Sequence, residues 1–319
     1  MKIFRKKFIM LMLMTLIFLV VFLTSGLLHQ NRKIWEKNSF SFQNVGSSQI
    51  SYKLPPGFSE QLVFQSGEDE IADLYLLSQS GIRRLTENNF PKRYPVFSPD
   101  GKKILYMAAP ENKWQLYIMT LETRKIERAF KEDGNFLNPC WAPDGKTIVF
   151  ETDIWGELEL AKFDLQKKVI IRLTDTPGKN SLPDWSPDGS TIAFTGNRGN
   201  GWFVALLDLS TKNITKLTGL GNCRPDWSPD GNWIAFVSAK EKHTDICLMR
   251  PDGSDINNLT NDPDHSDYHP TWSSDGKRIY FSRFEEREGH WHLCVINSDS
   301  TNRFQITFGN RKHKFPDVY

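Results

Sequence analysis

The tetrapeptide Ser-Pro-Asp-Gly, or a near variant, returns at an almost constant interval, and this period limits the fold more than any single residue does. The copies are Ser98-Pro99-Asp100-Gly101, Ala142-Pro143-Asp144-Gly145, Ser186-Pro187-Asp188-Gly189, Ser228-Pro229-Asp230-Gly231 and Ser273-Ser274-Asp275-Gly276. Their aspartates are spaced by 44, 44, 42 and 45 residues. Such a period, with short apolar strands between copies, marks a β-propeller in which each copy is one four-stranded blade.

The stretch from Leu182 to Thr218 shows one repeat clearly. Pro183 and Trp185 open a short strand, and Ser186-Pro187-Asp188-Gly189 is a type I turn in which proline presets the first central φ and glycine accepts the positive φ that closes the hairpin. Ile192-Ala193-Phe194 is the second strand, Phe203 to Leu207 the third, and a fourth ends at Leu217-Thr218. Equivalent endings are Leu85-Thr86, Ala129-Phe130, Leu173-Thr174, Leu259-Thr260 and Ile306-Thr307, which makes six blades. Only five complete first strands precede these endings. The missing one is at the C-terminus, where Phe315-Pro316-Asp317-Val318-Tyr319 matches Leu182-Pro183-Asp184-Trp185-Ser186. The last strand is therefore expected to complete the first blade and close the ring, leaving no open edge between first and last blades.

Pro-x-Trp-Ser-Pro-Asp-Gly followed by an Ile-x-Phe strand resembles the WD40-like repeat of the TolB-type propellers, over about four fifths of the chain. The resemblance implies an all-β, six-bladed propeller over residues 58–319. TolB also has an N-terminal α/β domain, for which residues 29–57 are too short. Fold alone does not assign an activity, because propellers host many.

Residues 1–7 form a basic tail, and residues 8–28 are an apolar run interrupted only by Thr15, Thr24, Ser25 and Gly26. At about 1.5 Å per residue a helix of that length crosses a hydrocarbon core of roughly 30 Å, and it exceeds the usual signal-peptide core of about 7–15 residues. The reading is one N-terminal transmembrane helix acting as a signal anchor, with a signal peptide cleaved near Thr24-Ser25-Gly26 as the alternative. Four cations ahead of the run keep the tail cytoplasmic and place the propeller outside, periplasmic or extracellular. Residues 29–57 read as a polar linker, with a short strand at residues 50–54. Without the tail, 36 basic residues stand against 38 acidic ones, which is not the charge excess of a nucleic-acid binder.

The repeated aspartates sit where turn chemistry wants them and lack the dense oxygen spacing of a calcium loop. Function is sought instead where the repeat is broken, in the loops that enter each first strand and rim the channel. Those positions are Arg93 beside Tyr94, Asn138, Asn180, Asn222, Arg224, His265, Asp267, His269, His313 and Lys314. They suit a monomeric scaffold that binds a protein, a peptide or another cell-envelope component, with no cofactor and no catalytic residue assigned. His265, Asp267, His269 and His313 carry the alternative, a metal-dependent lyase or hydrolase acting on a saccharide, since related propeller lyases are similar in using a histidine-bound metal. A small-ligand sensor is the third reading. No Gly-x-Ser-x-Gly elbow is present.

Overall fold

The computed structural model describes residues 50–240 and 242–319. The basic tail, the apolar run and most of the linker lie outside the described residues, among which no helix is long and apolar enough to cross a membrane.

Six antiparallel sheets of four strands make the ring. Innermost strand first, blade two is Lys92–Phe97, Lys103–Ala108, Gln115–Thr120 and Ile126–Arg128, and blade three is Phe136–Trp141, Thr147–Thr152, Glu159–Asp164 and Val169–Arg172. Blade four is Lys179–Trp185, Thr191–Asn197, Trp202–Asp208 and Ile214–Lys216, and blade five is Asn222–Trp227, Ile234–Lys240, His243–Met249 and Asn257–Asn258. Blade six is His265–Trp272, Arg278–Glu285, His290–Asn297 and Phe304–Gln305. Blade one has the expected composite order: the C-terminal strand His313–Val318 pairs with Leu62–Ser66, followed by Asp73–Ser78 and Gly81–Arg84.

The repeat residues act locally. In the first turn Ser98 Oγ donates to Asp100 Oδ1 at 2.6 Å and accepts from Lys103 N at 2.9 Å, while Gly101 takes a φ of 66° that side chains disfavour. Ala142 has no hydroxyl, and there Asp144 Oδ1 takes the backbone N–H groups of Lys146 and Thr147 instead. The Leu-Thr endings have a separate purpose. Thr86, Thr174, Thr218, Thr260 and Thr307 each accept through Oγ1 from the third-strand backbone, at 2.8–3.1 Å, which pins the end of the fourth strand.

The short strand expected near residues 50–54 forms at Ser51–Tyr52, and it pairs with Thr307–Phe308. Lys53 N donates to Ile306 O at 2.8 Å, and Ile50 and Phe58 are buried against Tyr280 and Leu293. The end of the stretch read as linker is thus fixed to blade six, because its apolar residues find a core there.

Candidate functional site

Every first strand carries a bulge at the same place. The residue before its proline has positive φ: Tyr94 (50°), Asn138 (46°), Leu182 (51°), Arg224 (56°), His269 (57°) and Phe315 (54°). This is a strained conformation for any residue but glycine, and the next blade over does not leave it unsupported. Leu182 N donates to Glu151 Oε2 (2.9 Å), Arg224 N to Thr195 Oγ1 (2.8 Å) and Phe315 N to Ser282 Oγ (3.1 Å), each acceptor belonging to the preceding blade. All six side chains line one cavity of about 180 Å³ along the channel.

The channel is bridged at this level. Arg224 of blade five hydrogen-bonds through Nη1 to the Tyr94 hydroxyl of blade two, its opposite in a ring of six, and its guanidinium lies 5.7 Å from the Tyr94 ring centroid. Tyr94 stacks on Phe315 at 4.1 Å, and His269 meets Phe315 edge-on at 4.3 Å. Burial, reinforced by Arg224 and Lys314, holds the His269 imidazole well below its ordinary pKa, so it is neutral at physiological pH.

Two residues further along each first strand lies a second ring: Val96, Cys140, Asp184, Asp226, Thr271 and Asp317. Its carboxylates stitch neighbouring blades. Asp184 accepts from Trp227 N (2.6 Å), Asp226 from Trp272 N (3.0 Å) and Asp317 from Phe97 N (2.7 Å). Burial pushes Asp184 up to about 6 and Asp317 up to about 7, and burial with the neighbouring Asp184 raises Asp226 well above its ordinary value. Glu151, whose Oε1 accepts from Asn138 Nδ2 at 2.6 Å, is also raised by burial, to about 7.

These shifts fix a direction. A carboxyl whose folded pKa exceeds its unfolded value near 4 favours the fold at low pH, and that contribution is lost as pH rises through the folded pKa. The channel acids therefore destabilise the fold as pH climbs from about 4 to 7. Asp184→Asn keeps an acceptor for Trp227 N and removes one charge, so denaturant unfolding should show it more stable than the parent by about 1–2 kcal/mol at pH 8. At pH 4 the difference should vanish, and equal gains at both pH values would contradict the charged-ring account.

The residues expected on the rim divide into several groups. Arg224, His269 and Asn138 are in the channel as described. Arg93 lies 5.2 Å over the Trp114 ring, and Lys314 lies 4.7 Å over the Trp291 ring while also pairing with Asp69 at 2.9 Å. Asn222 is half-buried and its Nδ2 donates to Gly219 O. Three others are buried rather than displayed. Asn180 donates to Glu159 Oε2 (2.7 Å), Asp267 is held by Arg283 Nε (2.8 Å) and Nη2 (2.9 Å), and His313 is packed edge-on against Phe64. All three stand two residues before the strained residue; Asn180 there reaches Glu159 of the preceding blade, while Asp267 and His313 meet Arg283 and Phe64 on the second strand of their own blade. His265 sits apart, against Asp262 at 3.0 Å.

Sequence reasoning left Glu151, Asp184, Asp226 and Asp317 out of the site, along with Trp114 and Trp291. The usable signal was the Pro-Asp-Trp triad, since alternate residues of an innermost strand face the channel.

The sequence profile of the TolB beta propeller domain (PD40) matches residues 65–318. The chain belongs to the TolB propeller family. TolB from Acinetobacter baumannii is 23% identical with a TM-score of 0.74, covering 83% of this chain and 68% of that one. A structure assigned to TolB from Agrobacterium tumefaciens is 19% identical with a TM-score of 0.66, covering 82% and 99%. An oligogalacturonate lyase in complex with manganese is 16% identical with a TM-score of 0.52, covering 81% and 74%. At these identities the likeness is one of fold. No curated protein matches the chain in sequence. The four residues suggested for a metal, His265, Asp267, His269 and His313, do not fit one: the first is taken by Asp262, the second by Arg283, and the last two lie in the channel and a blade seam. Among the described residues no group of three or more His, Cys, Asp or Glu is arranged to hold a metal ion.

Proposed function

We propose that this TolB-type propeller is a membrane-tethered, extracytoplasmic scaffold that binds a protein or peptide of the cell envelope at the mouth of its channel. The observation that carries this reading is the make-up of the mouth. Tyr94 and Arg224 line the channel and bridge it, and the cation–π pairs Arg93–Trp114 and Lys314–Trp291 stand on the face where the first strands begin. Tyrosine, tryptophan and arginine are the residue types that dominate binding energy at protein interfaces, above all when preorganised. The apolar run at residues 8–28 and the cations before it supply the tether and the orientation.

Affinity capture from envelope extract tests the proposal. A partner retained by the parent chain should lose at least about tenfold in affinity with Trp114→Ala or Trp291→Ala, the loss of roughly 1.4 kcal/mol or more expected of an interface centre. A partner indifferent to both substitutions would overturn binding at the mouth.

A further inference from the structure

Cations drawn into this fold come with a carboxylate. Lys92 pairs with Asp73 at 2.9 Å, Arg283 with Asp267 at 2.8 Å and Lys314 with Asp69 at 2.9 Å. Arg224 is the exception at the centre of the channel. Among the described residues its guanidinium makes no ion pair with a carboxylate, and the partner of its Nη1 is the Tyr94 hydroxyl, which burial keeps in the neutral phenol form. Glu151 acts on Arg224 through space, but its oxygens are engaged elsewhere, Oε1 by Asn138 Nδ2 and Oε2 by Leu182 N. Burial outweighs Arg224 at Glu151, whose pKa stays raised at about 7, whereas a close ion pair would hold it low. A guanidinium kept inside a protein without its counter-charge costs stability.

The surroundings of Arg224 define what would complete it. It shares the cavity of about 180 Å³ with Tyr94, Asn138 and His269, and all four side chains are only partly buried. Two buried polar atoms on this lining have no hydrogen-bond partner, His269 Nδ1 and Asn138 Oδ1. The planar fork of a guanidinium matches a carboxylate, to which it can donate two parallel hydrogen bonds. Asn138 already spends its Nδ2 on Glu151, so its Oδ1 is left as an acceptor and calls for an N–H. A peptide supplies both groups, and a simple acid supplies only the first. Asp184, Asp226 and Asp317 lie two residues deeper, where their charge repels an anion and stops it at the level of Arg224.

We propose that Arg224 receives a carboxylate of the bound peptide, from an acidic side chain or from the C-terminus, while a backbone N–H of the same peptide donates to Asn138 Oδ1. The inference rests on the reading of the mouth as a binding surface and names its anchor. The Tyr94 bridge holds the guanidinium in place before the peptide arrives, which lowers the ordering cost of binding.

The test uses the immobilised full chain in detergent and three pools of N-acetylated random hexapeptides: one with a single Asp and an amidated end, its Asn counterpart, and one without acidic residues but with a free carboxyl end. Mass spectrometry should find the Asp pool or the free-end pool retained at least about tenfold above the Asn pool. Arg224→Met should erase that difference with the melting temperature level or higher, since it removes an uncompensated charge, and Arg224→Lys should keep part of it. Where Arg224→Met lowers the melting temperature, Tyr94→Phe is read instead, and by freeing the guanidinium it should weaken the preference. Equal retention of all three pools, or a preference that survives these substitutions, overturns the carboxylate site. Free galacturonate that binds the parent more tightly than the retained peptides, by calorimetry, assigns Arg224 to a small acid and overturns the peptide. An envelope partner lost with Trp114→Ala but not with Arg224→Met leaves the mouth as a binding surface and removes this inference alone.

Discussion

Deleting residues 315–319 should lower the melting temperature by more than about 10 °C, corresponding to several kcal/mol in a domain of this size. The deletion removes Val318 and Asp317, which pair with Leu62 and Val63, and so exposes the inner edge of a strand that is buried throughout. It also removes the Asp317 acceptor of Phe97 N and the Phe315 ring that stacks on Tyr94. Blade one then has three strands, and the ring has an open seam between its first and last blades, where Phe315 N had donated to Ser282 Oγ. Calorimetry of the truncated chain beside the parent measures this directly, and an unchanged melting temperature contradicts closure by the last strand.

Asp267→Ala should cost about 3–5 kcal/mol, measured by denaturant unfolding, because it leaves the Arg283 guanidinium buried without its main counter-charge. Asp262 Oδ2, 3.0 Å from Arg283 Nη1, offsets part of the loss and puts the expected value near the lower end. Pairing Asp267→Leu with Arg283→Met should recover most of the stability, since replacing both members of a buried ion pair by apolar groups is far cheaper than removing one. If the single and double variants are equally unstable, Asp267 is held by something other than this pair.

The frame was legible because each of its elements is local. Ser186-Pro187-Asp188-Gly189 declares a turn in four residues, and the orphan strand at Pro316 declares closure by matching the others. The seam residues were not legible in that way. Asn180, Asp267 and His313 look like polar loop residues in the sequence, and only the packing shows that Asn180 faces Glu159 of the preceding blade while Asp267 and His313 face Arg283 and Phe64 on the second strand of their own. The Tyr94–Arg224 bridge joins residues 130 positions apart on opposite blades, which no periodicity reveals. Asp184, Asp226 and Asp317 were hidden for a different reason. They alternate with the inter-blade tryptophans, so the repeat that marks them as scaffold also conceals that they meet in one channel.

Photo-crosslinking in living cells tests most directly the claim that the channel mouth is a binding surface. Benzoylphenylalanine placed at Trp114, Asn222 or Trp291 should trap a partner of constant mass. The same probe at Ser190 or Lys277, in the turns of the opposite face, should trap nothing above background. Crosslinks confined to Ser190 and Lys277, or none from the mouth, would contradict the account.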